Sequence, residues 1–158
     1  MMTGFPEVKE TRDARWVARF CARQASVDAE SPGGRLPTAE EWARVMARPE
    51  NHVYRLNGWG VFACVKMPGD GPGSWHVHAA IERRWRGKWA LRGCRRATRM
   101  FFETEAGAEE LWAEHDPEAR HVTRFCAAGG WAVVRPGLAV ARRGPQLAEV
   151  ETEKGLGG

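Results

Sequence analysis

Along the first fifty residues the apolar positions return every three or four places. In TRDARWVARFCARQ, Ala14, Val17 and Cys21, with Phe20 beside them, share one side of a helix. PTAEEWARVMARPE predicts a second helix with Trp42, Val45 and Met46 as its stripe, a Thr38/Glu41 capping box at its start and Pro49 at its end. The intervening ESPGGRLP reads as a loop. From Asn51 the period drops to two. NHVYRLNGWGVFACVKM holds two strand-like runs split near Asn57-Gly58, a dipeptide suited to the positive φ angles of a tight hairpin. After the turn-rich PGDGPG, SWHVHAAIER alternates Trp75, Val77, Ala79 and Ile81 with His76, His78, Ala80 and Glu82, which predicts a third strand.

The helical period then resumes. Ala90, Cys94, Ala97 and Phe101 fall on one face, and three of these four are small enough to let a helix lie close to a sheet. AEELWAEHD predicts a short strand with Leu111, Ala113 and His115 on one side. Asp116 and Pro117 have the form of a cap and first residue of the next helix, striped by Val122, Phe125 and Cys126 and closed by Gly129-Gly130. GWAVVRP and LAVARR are the last two strands. The predicted order, ααβββαβαββ, is that of an α+β domain with helices packed on a central sheet. One domain over residues 1–150 is expected, followed by a polar tail at 151–158.

Composition supports a folded chain: 43% of its 158 residues are hydrophobic and eight are tryptophan, which excludes a disordered class. No apolar run approaches the ~20 residues of a membrane span, and MMTGFPEVKETRD lacks the apolar centre of a secretion signal, so a cytoplasmic location is expected. Cys21, Cys64, Cys94 and Cys126 lie far apart, without zinc-ligand spacing, and read as buried thiols.

Charge changes the picture. Eight of the 24 bases lie between Arg83 and Arg99, with no acid among them; the rest of the chain holds 16 bases against 20 acids. A local positive cluster points to a local anionic partner: nucleic acid, a phosphorylated cofactor or an acidic protein surface. A solvated helix face is the plainer alternative.

A strand, then Arg84-x-x-Gly87, then a helix, a strand and HDPEARHVTRFCAAGGW resembles the core of the GNAT superfamily of acetyl-coenzyme A-dependent N-acetyltransferases. Arg84 and Gly87 match the family's phosphate-loop pattern, and Phe125 with Gly130-Trp131 match its later helix and Gly-aromatic pair; the similarity spans residues 51–135. The resemblance implies a mixed, mostly antiparallel sheet splayed between its fourth and fifth strands, with acetyl-CoA in the opening. Arg84, Arg86, Gly87, Lys88, Trp89 and Ala90 are then the cofactor-binding residues. A glycine at a helix start lets backbone N–H groups approach a pyrophosphate, and the bases supply countercharge, extended along the helix by Arg92, Arg95, Arg96 and Arg99. This chain departs from the family pattern at Trp89, in place of the second small residue, at Ala119, in place of an Asn, and at Cys126, where a tyrosine acid is frequent. Its one tyrosine, Tyr54, belongs to another predicted strand.

Amine acetylation needs a base, a polarised carbonyl and a proton for the departing sulfur. His76, His78 and Glu82, on one face of the predicted fourth strand, are the candidate catalytic residues, set against the ordinary reading of a polar strand face. No third ligand accompanies the two histidines, so no metal is expected. Three functions follow: acetyl transfer from acetyl-CoA to an amine; a catalytically degenerate GNAT fold used in assembly or protein binding, since the architecture is also similar to acetyltransferase-like proteins of bacteriophages; and, ranked below these, nucleic-acid binding through the basic helix with Trp85 and Trp89 for stacking.

Overall fold

The computed structural model describes residues 6–25 and 36–144. Its elements are β1 (Val8–Glu10), α1 (Ala14–Ala25), α2 (Ala39–Ala47), β2 (His52–Leu56), β3 (Gly60–Val65), β4 (Ser74–Ile81), a 3₁₀ turn (Arg83–Trp85), α3 (Lys88–Thr104), β5 (Glu110–Glu114), α4 (Arg120–Ala128), β6 (Ala132–Arg135) and β7 (Leu138–Arg142). The seven strands form one sheet in the order β1-β2-β3-β4-β5-β7-β6. Every neighbouring pair is antiparallel except β4–β5, which α3 connects as a parallel crossover. The mixed, mostly antiparallel α+β architecture is the one expected.

Strand alternation assigns the two sheet faces. Tyr54, Leu56, Phe62, Cys64, Trp75, Leu111 and Ala141 meet Ala90, Cys94, Ala97 and Phe101 of α3. Val53, Val61, Ala63 and Val65 point the other way, onto Val17 and Phe20 of α1 and Trp42 and Met46 of α2. With both faces covered, β2 and β3 are buried almost throughout, and each large side chain removed from water contributes about 1.5–3 kcal/mol. Small residues bring α3 close to the sheet as expected: a Cβ on Gly93 would lie 3.2 Å from the Trp59 ring.

Local chemistry sets the ends. The Thr38 hydroxyl accepts from Glu41 N–H and the Glu41 carboxylate accepts from Thr38 N–H, completing the capping box. At the β2–β3 hairpin only Asn57 of the Asn-Gly pair takes a positive φ, 50°. Asn57 also exchanges hydrogen bonds with Glu7, donating its N–H to the carbonyl and accepting the Glu7 N–H on Oδ1, which lays β1 along β2.

Three elements correct the sequence reading. β1 was not expected: it has one buried residue, Val8, and owes its existence to pairing with β2. α4 starts at Arg120 rather than at Pro117, because the Asp116 carboxylate accepts from Glu118 N–H and closes a separate turn. β4 ends at Ile81, so Glu82 leaves the histidine face and heads the 3₁₀ turn. The loop expected over ESPGGRLP lies partly, and the tail at 151–158 wholly, outside the described residues.

Candidate functional site

The parallel pair β4–β5 holds together over three rungs: Ser74 with Glu110, Trp75 with Leu111 and His76 with Trp112. Beyond His76, β4 runs on to Ile81 without β5, which follows β7 through Glu114 instead. The sheet therefore opens at the carboxyl end of β4, where open α/β sheets place ligands.

The chain turns into α3 at the head of this opening. Glu82 N–H donates to the Trp59 carbonyl, and Trp85 stacks on Trp59 with ring centroids 6.1 Å apart. Two residues later Gly87 is the N-cap of α3, with φ 107° and ψ −139°, a conformation that side-chain-bearing residues rarely adopt. A Cβ there would meet no protein atom within 4 Å, so the backbone angle demands the glycine and the space beside it is open. No side chain caps the helix and no acid lies in its first turn. An uncapped helix start, with free N–H groups and the positive end of the dipole, suits an anion.

The bases of the cluster divide into different tasks. Arg83, Arg84 and Lys88 are exposed around the turn, with Arg84 Nε 2.6 Å from Glu82 Oε1. Arg86 turns back, its guanidinium donating to the Ile81 carbonyl at 3.2–3.3 Å, and so fastens the turn to the end of β4. Arg92 lies over the Trp89 ring at 5.7 Å, and Arg99 Nε is 3.8 Å from Glu103 Oε1. Arg95 departs from the expected basic face. It is buried, and its guanidinium donates to the Ala128 carbonyl in the last turn of α4, a favourable place for a cation. The stripe Leu91, Thr98 and Phe102, on which Arg95 falls, was the available signal that a second side of α3 is covered.

Trp89 is partly buried against the core cluster, and Ala90 beside it is fully buried. The residues at this turn thus fit a pyrophosphate. Trp85 packs on the same cluster.

On β4 the two histidines share the α1/α2 face but differ in setting. His76 Nδ1 is 3.0 Å from Asp70 Oδ1, and its Nε2 is 3.1 Å from Glu114 Oε1. His78, two residues into the opening, has an exposed ring. Surrounding protein nonetheless pushes its pKa below the ordinary histidine value; charge on His76 adds to the shift and Glu114 opposes it. The exposure of the ring makes that desolvation partial. Asp70 and Glu114, which sequence reasoning missed, come from the β3–β4 turn and the end of β5.

Other candidate acids are remote in character. Tyr54 is buried on the α3 face, and burial raises its pKa far above the usual phenol value. Burial likewise raises the thiols of Cys94, to about 12, and of Cys126. The four cysteines are free; Cys64 and Cys94 are buried, while Cys21 and Cys126 are partly so. Among the described residues no group of three or more His, Cys, Asp or Glu could hold a metal ion, and no helix is long and apolar enough to cross a membrane.

This arrangement, a sheet opened between parallel β4 and β5 with a glycine-headed helix above the opening, is the GNAT acetyltransferase fold. A GNAT-family acetyltransferase from Streptococcus pneumoniae superimposes with a TM-score of 0.67 at 14% identity, over 88% of this chain and 99% of its own. The ribosomal-protein-S5-alanine acetyltransferase from Vibrio fischeri gives 0.66 at 14% identity, over 90% and 95%. The aminoglycoside acetyltransferase AAC(6')-Ib, in complex with coenzyme A and kanamycin, gives 0.64 at 15% identity, over 91% and 97%. No protein-family model and no curated protein matches the sequence.

Proposed function

We propose that this protein transfers an acetyl group from acetyl-CoA to an amine. The observation that carries the reading is the separation of β4 from β5 beyond His76, with the uncapped Gly87 turn at its head. Structures of AAC(6')-Ib with acetyl-CoA or coenzyme A lend the cofactor its support.

Bound acetyl-CoA would supply the activated acyl group. Gly87 and the N–H groups of Lys88, Trp89 and Ala90 would hold its pyrophosphate, with Arg84 and Lys88 as exposed countercharge. Arg86 shapes the turn through its bond to the Ile81 carbonyl. His78 is the better base, because its lowered pKa keeps the ring neutral near pH 7. It would accept the proton of the attacking amine, and water would protonate the departing sulfur. Glu82, paired with Arg84, holds the turn.

A second reading, a GNAT fold retained for binding or assembly without turnover, is favoured by Ala119 in place of the family's Asn and by the burial of Tyr54. Nucleic-acid binding loses its stacking platforms, since Trp85 and Trp89 pack on the core. Calorimetric titration with acetyl-CoA and thiol release over an amine panel test these readings together. One-to-one binding with release supports the enzyme, and binding without release supports the second reading. Absence of both overturns cofactor use; tight, salt-sensitive DNA binding that coenzyme A fails to displace would then support the third.

A further inference from the structure

His76 and His78 occupy the same face of β4, yet only one has its nitrogens free for proton transfer. Both ring nitrogens of His76 lie within hydrogen-bond distance of a carboxylate, Asp70 on one side and Glu114 on the other. Ionised carboxylates only accept, so the two contacts are both hydrogen bonds only when both nitrogens carry hydrogen. Asp70 is well placed for this. Its side chain is 8% exposed, and it also accepts the Met67 N–H at 2.9 Å, which locks it into the β3–β4 turn. Glu114 is 69% exposed, and its contact alone is worth little, so Asp70 anchors the ring and Glu114 completes the bridge.

The bridge also has a definite place. His76 pairs with Trp112 in the last rung before β4 and β5 part, and Glu114 lies two residues farther along β5. We infer that His76 is a positioning residue rather than the base: held between Asp70 and Glu114, it fastens β5 to β4 at the fork and fixes His78 in the opening. This rests on the acetyltransferase reading for its catalytic meaning, not for the bridge itself. The ionisable groups described around His76 are Asp70 from the β3–β4 turn, Glu114 from β5 and His78 on its own strand. Charge on His76 also opposes protonation of His78, in the direction of that residue's lowered pKa.

The test is nitrogen-detected NMR of the imidazoles in the intact protein, paired with kinetics. In the wild type both His76 ring nitrogens should show hydrogen bonding to the carboxylates, and those of His78 should show none. His76→Gln should move the His78 titration, and the acid limb of the kcat profile, to higher pH. It should reduce kcat about tenfold, less than the ~10²-fold that a misplacement of about 1 Å can cost and less than loss of the base. Asp70→Asn, which keeps the ring, should weaken the hydrogen bond at His76 Nδ1 and decides the matter if His76→Gln does not fold. His76 ring nitrogens that show no hydrogen bonding to the carboxylates, or a His78 titration unmoved in folded His76→Gln, overturns the proposal. Failure to bind or turn over acetyl-CoA would sink the acetyltransferase reading, while the NMR result would still judge the bridge.

Discussion

Trp85 stacks on Trp59, their planes inclined by 25°. The contact joins the 3₁₀ turn to the β2–β3 hairpin, and the Glu82 N–H bond to the Trp59 carbonyl reinforces it. Since the Gly87 turn follows directly, the hairpin sets that turn's position from outside it. Trp85→Ala is expected to weaken acetyl-CoA binding by calorimetry while costing about 1–2 kcal/mol of stability in urea, below the cost of a fully buried tryptophan because Trp85 is only partly buried. Unchanged binding would show that the stack has no hold on the turn.

Gly87→Ala meets no steric obstacle, yet its φ of 107° penalises any side chain by roughly 1–3 kcal/mol. The turn should relax and acetyl-CoA affinity fall. Gly87→Glu should bind more weakly still, because it adds negative charge beside the phosphates. Wild-type affinity in both variants would remove this turn from the cofactor site.

His78→Gln should leave acetyl-CoA affinity intact and lower thiol release by ~10²–10⁴-fold. Because the His78 pKa is lowered, wild-type turnover should hold steady through neutrality and decline only in acid, below the usual histidine range. The same shift affects stability. The unfolded chain takes up a proton at the ordinary histidine pKa and the folded chain only at lower pH, so stability from this group is lost as pH falls through that window. Steady-state profiles and urea titrations across pH 4–8 should read both effects.

Arg95→Ala should destabilise the protein by about 1.5–3 kcal/mol in chemical denaturation, the usual worth of a hydrogen bond from a charged group. Removing this guanidinium frees the Ala128 carbonyl and loosens α4 from α3. Arg92→Ala, at a partly buried position over Trp89, should cost less.

The contrast between Arg92 and Arg95 marks how far the sequence could be read. Ala90, Cys94, Ala97 and Phe101 disclosed the sheet-facing side of α3, because small and apolar residues at helical spacing have one plausible use. The destination of each arginine depends on α4, a partner fixed only by tertiary packing. β4 and its opening were legible through alternation and the Arg84/Gly87 resemblance. The carboxylates bracketing His76 were not, since Asp70 and Glu114 are separated from it by 6 and 38 residues, and they meet it only through the folding of the β3–β4 turn and across the fork. β1 escaped notice because a three-residue strand has no period of its own, and Asp116-Pro117 misled because an Asp that closes a turn carries the same letters as one that caps a helix.

The three rungs between β4 and β5 join two antiparallel halves of the sheet, β1–β4 and β5–β7–β6, each internally laddered. A sheet built this way has a mechanical seam. Force applied across it loads the slanted bonds of Ser74–His76 before any other ladder, with α3 as the covalent strap between the halves. The α3–β5 connection at residues 105–109 is accordingly a natural division point for a two-fragment protein, whose pieces would reassemble by restoring three rungs and the packing of one helix.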